Sequence, residues 1–211
     1  MGIARPVSVA IEKAAEGSRE AALVAELQGG SEEAFSYLLA VYQNPVYNLV
    51  SHIVESGSDA ADVTQGVFIK VFSGIRYFHA QSSLRTWIYR IAIREASNHR
   101  RGWLRRKLRE AFSLDQEPEL SDGIFARSSI QSETPYEIAE CSERQRTVQR
   151  ALASLAQPYR TVVVLREIED MPYDEIAEVL GISEGTVKSR LMRGRELLRR
   201  KLEGYWSQSH V

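Results

Sequence analysis

Between Pro172 and Arg200 the chain reads PYDEIAEVLGISEGTVKSRLMRGRELLRR, and few folds can accept that run. Pro172 opens a helix at a position where its missing N–H has no intrahelical partner to lose. Ile176, Ala177 and Leu180 then form an apolar face, with Ala177 small enough for a second helix to cross closely. Gly181 follows at once, where a helix that must turn sharply ends in a left-handed residue, and Ile182 is placed to plug the angle. Ser183 caps the next helix and Glu184 sits in its first turn. Val187, Leu191, Leu198 and Leu202 recur on one face of that helix. The pattern predicts a helix-turn-helix. Phased at about 100° per residue, the second helix turns Ser189, Arg193 and Arg200 away from its apolar stripe, with Thr186, Lys188, Arg190 and Met192 on the flanks. An exposed basic face of this kind reads guanine edges in the major groove and neutralises phosphates. An αα-hairpin with a solvated basic face would carry the same charge. The cap, the turn glycine, the small crossing residue and the one-sided charge together favour DNA. Thr186, Lys188, Ser189, Arg190 and Arg193 are therefore candidate contacts to bases or phosphates.

The formal net charge of −1 over 211 residues conceals a strong segregation of sign. Six bases and no acid lie between Arg100 and Arg109; eight acids and one base, Arg127, lie between Asp115 and Glu143; seven bases and one acid, Glu196, lie between Lys188 and Lys201. Two basic blocks around an acidic stretch suggest two polyanion-binding surfaces and a linker. That stretch also holds Pro118, Gly123 and Pro135 among serines, a tether's composition. The single cysteine, Cys141, permits no internal disulfide and fits a reducing cytoplasm. The histidines at 52, 79, 99 and 210 have no metal-ligand spacing with it. No apolar run approaches the length of a membrane span, and the N-terminus has no signal-peptide core. No nucleophile constellation, metal site or phosphate loop is visible, so neither an enzyme nor a cofactor is expected.

Helical periodicity dominates the N-terminal half. Residues 1–20 are polar and rich in small side chains, and loose order is expected there. Ser31 is an N-cap before Glu32 and Glu33, and Phe35, Leu38, Leu39, Tyr42, Val46, Leu49, Val50 and Ile53 follow at helical spacing, with Pro45 a candidate kink. A second helix, about Asp59 to Arg76, puts Val63, Val67, Val71 and Ile75 on one stripe. Asp62, Gln65 and Lys70 lie off that stripe, as do Phe68, Ile69 and Phe72, which suggests a partly apolar binding face. A third helix, about Leu84 to Arg101, repeats Leu84, Trp87, Ile88, Ile91, Ala92 and Ala96 at threes and fours. Its polar side carries Arg85, Arg90, Arg94, Asn98 and Arg101, and Tyr77, Phe78, Trp87 and Tyr89 gather nearby. Bases interleaved with aromatics suit unpaired DNA, whose bases stack while its phosphates meet arginine. For Trp87 and Phe72 core packing is the better reading. No strand and no fixed-period repeat is evident. The fold class is all-α: two small helical domains, 21–112 and 136–206, joined by an acidic flexible linker at 113–135, with an N-terminal segment 1–20 and a tail 207–211.

Two separate motifs carry a family resemblance. DVTQGVFIKVF resembles the helix of sigma-factor region 2 that docks on the clamp coiled-coil of RNA polymerase, and SSLRTWIYRIAIREASNHRR the neighbouring helix that melts and reads the −10 element. LAQPYRTVVVLREIEDMPYDEIAEVLGISEGTVKSRLMRGRELL resembles region 4, the −35 reader. Together they cover about residues 20–206, in order, and resemble the extracytoplasmic-function (ECF) group of the sigma-70 family. The resemblance implies a monomeric, dissociable subunit that gives core RNA polymerase its promoter choice, the polymerase supplying the catalysis. It assigns Asp62, Gln65, Phe68 and Ile69 to polymerase docking, and Arg85, Arg90, Arg94 and Asn98 to the −10 strand, with a flipped base held near His79 to Ser83. It implies control by an anti-sigma partner, often membrane-bound. One departure stands out: the family places Glu after Gln in the docking helix, and here Gly66 follows Gln65. Glycine inside a helix costs roughly 1 kcal/mol relative to alanine, and a charge is missing from the docking face. The acidic linker offers a further expectation, that it folds back on the basic surfaces, against the plainer one that it is a solvated tether. Two other readings fit parts of the chain: a stand-alone dimeric helix-turn-helix regulator, and a decoy that retains the sigma fold without transcription.

Overall fold

In the computed structural model, which describes residues 5–54, 57–111 and 147–208, every regular element among the described residues is helical. The linker expected at 113–135 lies outside them. α1 spans Arg5–Gln28, so residues 5–20, expected to be loose, belong to a helix. Their alanines and glutamates are strong helix formers, and Val24 and Leu27 bury the far end of the helix against the bundle. Gly30, at φ 81°, turns the chain. The Ser31 hydroxyl then accepts from Ala34 N–H at 3.2 Å and starts α2, Glu32–Ser51. α2 runs through Pro45 without a break, held by Leu38, Val46, Leu49 and Val50, all fully buried.

α3, Gly57–Gly74, buries Val63, Val67 and Val71 as the periodicity predicts. It is sandwiched between α2 and α4, so a second row, Ala60, Thr64 and Phe68, is buried as well. A 3₁₀ turn at Ile75–Tyr77 and a loop through Ala80, at φ 51°, lead to α4. α4, Leu84–Ala111, continues ten residues beyond its expected end at Arg101. Its first turn is capped twice: the Ser83 hydroxyl accepts from Thr86 N–H at 3.1 Å, and the Glu20 carboxylate reaches across from α1 to accept from Leu84 N–H at 2.9 Å.

The C-terminal unit begins with α5 at 147–153, followed by α6, Gln157–Val163, with Pro158 in its first turn. α6 widens into a π turn at Val164–Ile168, which ends at Glu169 and at Asp170, a non-glycine residue at φ 48°. α7, Tyr173–Leu180, closes on Gly181 in the left-handed conformation (φ 64°, ψ 39°), and Ile182 N–H bonds back to Ala177 C=O at 3.0 Å. The Ser183 hydroxyl accepts from Thr186 N–H at 3.3 Å and starts α8, Glu184–Gln208. α8 crosses α6 at Gly194, where a Cβ would lie 2.7 Å from Val163 Cγ2 and 3.3 Å from the Tyr159 carbonyl oxygen. The backbones meet there because the residue has no side chain.

The two helical units are docked against each other, and their buried apolar side chains form one contiguous cluster. Arg160 of α6, 1% exposed, donates to the carbonyl of Ile53 at 3.2 Å in the N-terminal unit, and to the carbonyls of Leu155, at 3.2 Å, and Ala153 in its own. Gln157 donates to the Ser97 hydroxyl, and His52 faces Gln149 at 3.0 Å.

Candidate nucleic-acid interface

α8 holds its apolar face inward through Val187 and Leu191, both buried. That packing leaves Lys188, Ser189 and Arg193 exposed, with Thr186 and Arg190 half-exposed beside them. The five candidate contacts are thus brought onto the outer side of one capped helix. The basic block around them is less uniform than its sequence. Arg195 donates to Glu167 through Nε and Nη2, at 3.0 and 2.6 Å, and this bond raises its pKa above the ordinary guanidinium value. Arg199 and Arg200 both pair with Glu196, whose carboxyl is held below its ordinary range by those two bonds, Arg200 first. Lys188 lies 3.5 Å from Glu184, a turn away. Among the described residues Arg190 and Arg193 make no ion pair, so they present the least compensated charge on the recognition face.

The second candidate surface is α4 with the loop before it. Arg90, Arg94 and Asn98 recur every four residues along one side of α4, whereas Arg85, nine residues before Arg94, lies about 180° round the helix from it. Arg94 and Asn98 are exposed, and Asn98 accepts from Arg101 at 2.7 Å. Arg85 and Arg90 meet the C-terminal unit instead. Arg85 Nη2 donates to the Glu169 carbonyl at 2.7 Å and lies 3.8 Å from its carboxylate. Tyr89, 1% exposed, donates its hydroxyl to the same carboxylate at 2.5 Å, while the Arg85 guanidinium stacks over its ring at 5.1 Å. Burial, followed by the Glu169 hydrogen bond, pushes the Tyr89 phenol well above its ordinary pKa. Arg90 Nη2 donates to the carbonyl of Glu178, at 3.1 Å, and to its carboxylate, at 3.4 Å.

Of the aromatics expected to serve unpaired bases, Tyr77 is open, with Arg76 5.6 Å from its ring. Phe78 and Tyr89 are buried, and Trp87 packs on Phe78 at 5.2 Å. Beside the loop expected to hold a flipped base, a cavity of about 600 Å³ opens between His79, Ala80 and Ser82 on one wall and Ala21, Val24 and Gln28 of α1 on the other. Gln28 fixes the loop by donating to the carbonyls of Ile75 and Phe78.

On α3, Asp62, Gln65 and Ile69 share the outer face, Ile69 being 60% exposed. Phe68 does not join them. At 5% exposure it faces the core, because α3 is covered on two sides and its inward face is wider than a single stripe. Gly66 stands on the outer side, where an added Cβ would meet nothing within 4 Å.

Glu169, Arg160 and Gly194 gave no local signal in the sequence, since each acquires its role from a partner on another element. Among the described residues no group of His, Cys, Asp and Glu is arranged to hold a metal ion, and no helix is long and apolar enough to cross a membrane.

Comparison with known proteins agrees with this geometry. Residues 38–107 match the family model for Sigma-70 region 2, and residues 145–198 match that for Sigma-70, region 4. The ECF RNA polymerase sigma-E factor of Haemophilus influenzae is 34% identical over 189 residues, 90% of this chain and 98% of that protein. Its counterpart in Escherichia coli K12 is 34% identical over 182 residues, 86% of this chain and 93% of that one. Among solved structures, CnrH in complex with the cytosolic domain of CnrY has a similar fold, at a TM-score of 0.64 and 24% identity over 88% of this chain and 97% of that one. With both conserved regions matched in order and the likeness running almost end to end, the chain belongs to the ECF group of RNA polymerase sigma factors.

Proposed function

We propose that the protein is an alternative sigma factor that binds core RNA polymerase, directs it to a class of promoters and is controlled by an anti-sigma factor. The observation that carries the reading is the pairing of a capped helix-turn-helix, basic on its outer side, with a second basic helix beside a loop cavity. On this reading the units 21–112 and 136–206 act as region 2 and region 4. Thr186, Lys188, Ser189, Arg190 and Arg193 engage the −35 duplex, where a bidentate arginine–guanine pair is worth about 1–3 kcal/mol of discrimination. Arg85, Arg90, Arg94 and Asn98 hold the −10 strand, and Asp62, Gln65 and Ile69 dock on polymerase, with Phe68 supporting them from the core. The polymerase supplies the catalysis, and the setting is cytoplasmic. The anti-sigma element follows from family membership, and its support is the fold likeness to a sigma factor captured with such a partner, RpoE with NepR of Bartonella quintana, at a TM-score of 0.61 and 21% identity.

The test is reconstitution with core polymerase on a genomic promoter library, read by run-off transcription. Initiation that depends on both proteins is expected, as is its loss in Lys188→Ala,Arg190→Ala,Arg193→Ala. Tight duplex binding by a dimer without polymerase would instead identify a stand-alone regulator.

A further inference from the structure

The loop between the 3₁₀ turn and α4 has little of its own to hold it. Among the described residues, no hydrogen bond starts or ends on His79, Ala80, Gln81 or Ser82. Ala80 nevertheless stands at φ 51°, a conformation that a non-glycine residue keeps only where its surroundings impose it. The restraint comes at the two ends, and both ends are tied to α1. At the entry, Gln28 Nε2 donates to the carbonyls of Ile75, at 3.2 Å, and Phe78, at 2.8 Å. At the exit, the Glu20 carboxylate accepts from Leu84 N–H at 2.9 Å.

Glu20 and Gln28 stand eight residues apart on one helix, about 12 Å along its axis. That helix is itself fixed, because Val24 and Leu27, between the two anchors, are buried in the core. The span between the ends of the loop is therefore set by α1 and not by the loop. The anchors also line the cavity of about 600 Å³, across from His79, Ala80 and Ser82. Both precede residue 38, where the match to the region 2 family model begins.

We propose that Glu20 and Gln28 are positioning residues for −10 recognition, which hold the two ends of the loop at a set span over the cavity and so determine which base it prefers. The proposal rests on the reading of this loop and cavity as the place that holds a −10 base. A site discriminates only while neighbouring hydrogen bonds keep it within about 0.5 Å of its working geometry. Freed at one end, the loop admits preferred and disfavoured bases more equally. Phosphate contacts on α4, which carry no sequence information, are unaffected. Gln28 is exposed, so water takes its place on the two carbonyls when it is removed, and the chain still folds.

The experiment uses the full-length chain with core polymerase and the promoter recovered from the genomic library, remade with each of the four bases at each −10 position. The readout is the ratio of run-off transcription on the best and worst base at each position. A smaller folded fraction lowers initiation on all four bases alike and leaves that ratio where it was. Gln28→Met and Glu20→Ala are expected to lower the ratio about tenfold at one −10 position and to leave it unchanged at the others. Glu20→Gln keeps an acceptor for Leu84 N–H and is expected to retain the wild-type ratio. In the free protein, amide hydrogen exchange across residues 79–84 should quicken in the first two variants and not in the third. Wild-type ratios in Gln28→Met and Glu20→Ala would overturn the positioning role, as would an equal loss at every −10 position or unchanged exchange in the loop. Failure of the underlying reading looks different: the wild type itself then shows no base preference in the −10 region, or does not initiate with polymerase, and the proposal falls with it.

Discussion

The same substitution at two helical glycines is expected to act in opposite directions. Gly66 lies inside α3 with open space where a Cβ would project. Gly66→Ala removes the helix penalty of glycine at no packing cost and should stabilise by about 1 kcal/mol, a rise in melting temperature of about 2–4 °C for a chain of this size. Gly194 lies inside α8 and gains the same propensity term, but its new methyl would stand 2.7 Å from Val163 Cγ2. Carbon atoms in good contact sit roughly 3.5–4.0 Å apart, so something must move by about 1 Å. Val163 is buried and β-branched, hence stiff at χ1, and the Tyr159 carbonyl closes the other side at 3.3 Å. Overpacking costs roughly 1–3 kcal/mol, and less the propensity gain Gly194→Ala should destabilise by about 1 kcal/mol. Urea unfolding followed by circular dichroism at constant m-value measures both. The pairing is further tested in a Val163→Ala background, where Gly194→Ala should lose most of its cost because the clashing methyl is gone. A Gly194→Ala protein as stable as the wild type, or a Gly66→Ala protein less stable, would refute the close-crossing argument.

Three further outcomes follow from single contacts. Arg160→Met strands the carbonyls of Ile53, Ala153 and Leu155 in a buried site and should cost roughly 3 kcal/mol of unfolding free energy; a loss below about 1 kcal/mol would show that water replaces the guanidinium. His52 bonds through Nδ1 to the Asn48 carbonyl at 2.5 Å, which leaves Nε2 to accept from the Gln149 amide, and burial lowers its pKa below 6.5. The unfolded chain then takes up a proton that the folded one refuses, so stability should fall as pH drops through about 6.5 and level off below the folded value; in thermal melts His52→Asn should weaken that dependence, and an equal slope would refute it. In holoenzyme binding to promoter duplex, Arg193→Ala should reduce the slope of log affinity against log salt by about 1. Arg195→Ala, which removes a base already paired with Glu167, should change it less, and equal changes would refute the inequality of the two charges.

The parts legible in the sequence were those written within a single helical turn. Gly181 and Ser183 announce the turn and the cap because their partners, Ala177 and Thr186, are at most four residues away. The Val63, Val67 and Val71 row is legible for the same reason. Phe68 was misplaced because a hydrophobic stripe does not say how many neighbours a helix has, and α3 has two. The docking of the units was invisible, since its bonds join residues 80, 84 and 107 positions apart, across a linker whose composition reads as a tether. The π turn leaves no mark in composition, and nothing in a run of ordinary residues foretells where one carboxylate will point.

That last point changes what the charge pattern means. The segment Arg166 to Asp170 carries three acids around one turn, and the structure sends two of them in different directions: Glu167 to Arg195 on α8 and Glu169 to Arg85 on α4. Glu196 takes Arg199 and Arg200, and Glu178 takes Arg90. A count of arginines along α8, or along α4 from Arg85 to Arg94, therefore overstates the charge available to DNA. The acids are matched to particular bases, which leaves Arg190 and Arg193 on one surface and Arg94 on the other as the less compensated positions. Free binding then depends on a few charges, and is weak with a shallow dependence on salt. The paired arginines add their share only when something more strongly held than a single carboxylate displaces their partners, as polymerase-bound promoter DNA does in the proposed role. Selectivity and restraint then come from one device: the acids that silence each basic surface also set the conditions under which it binds.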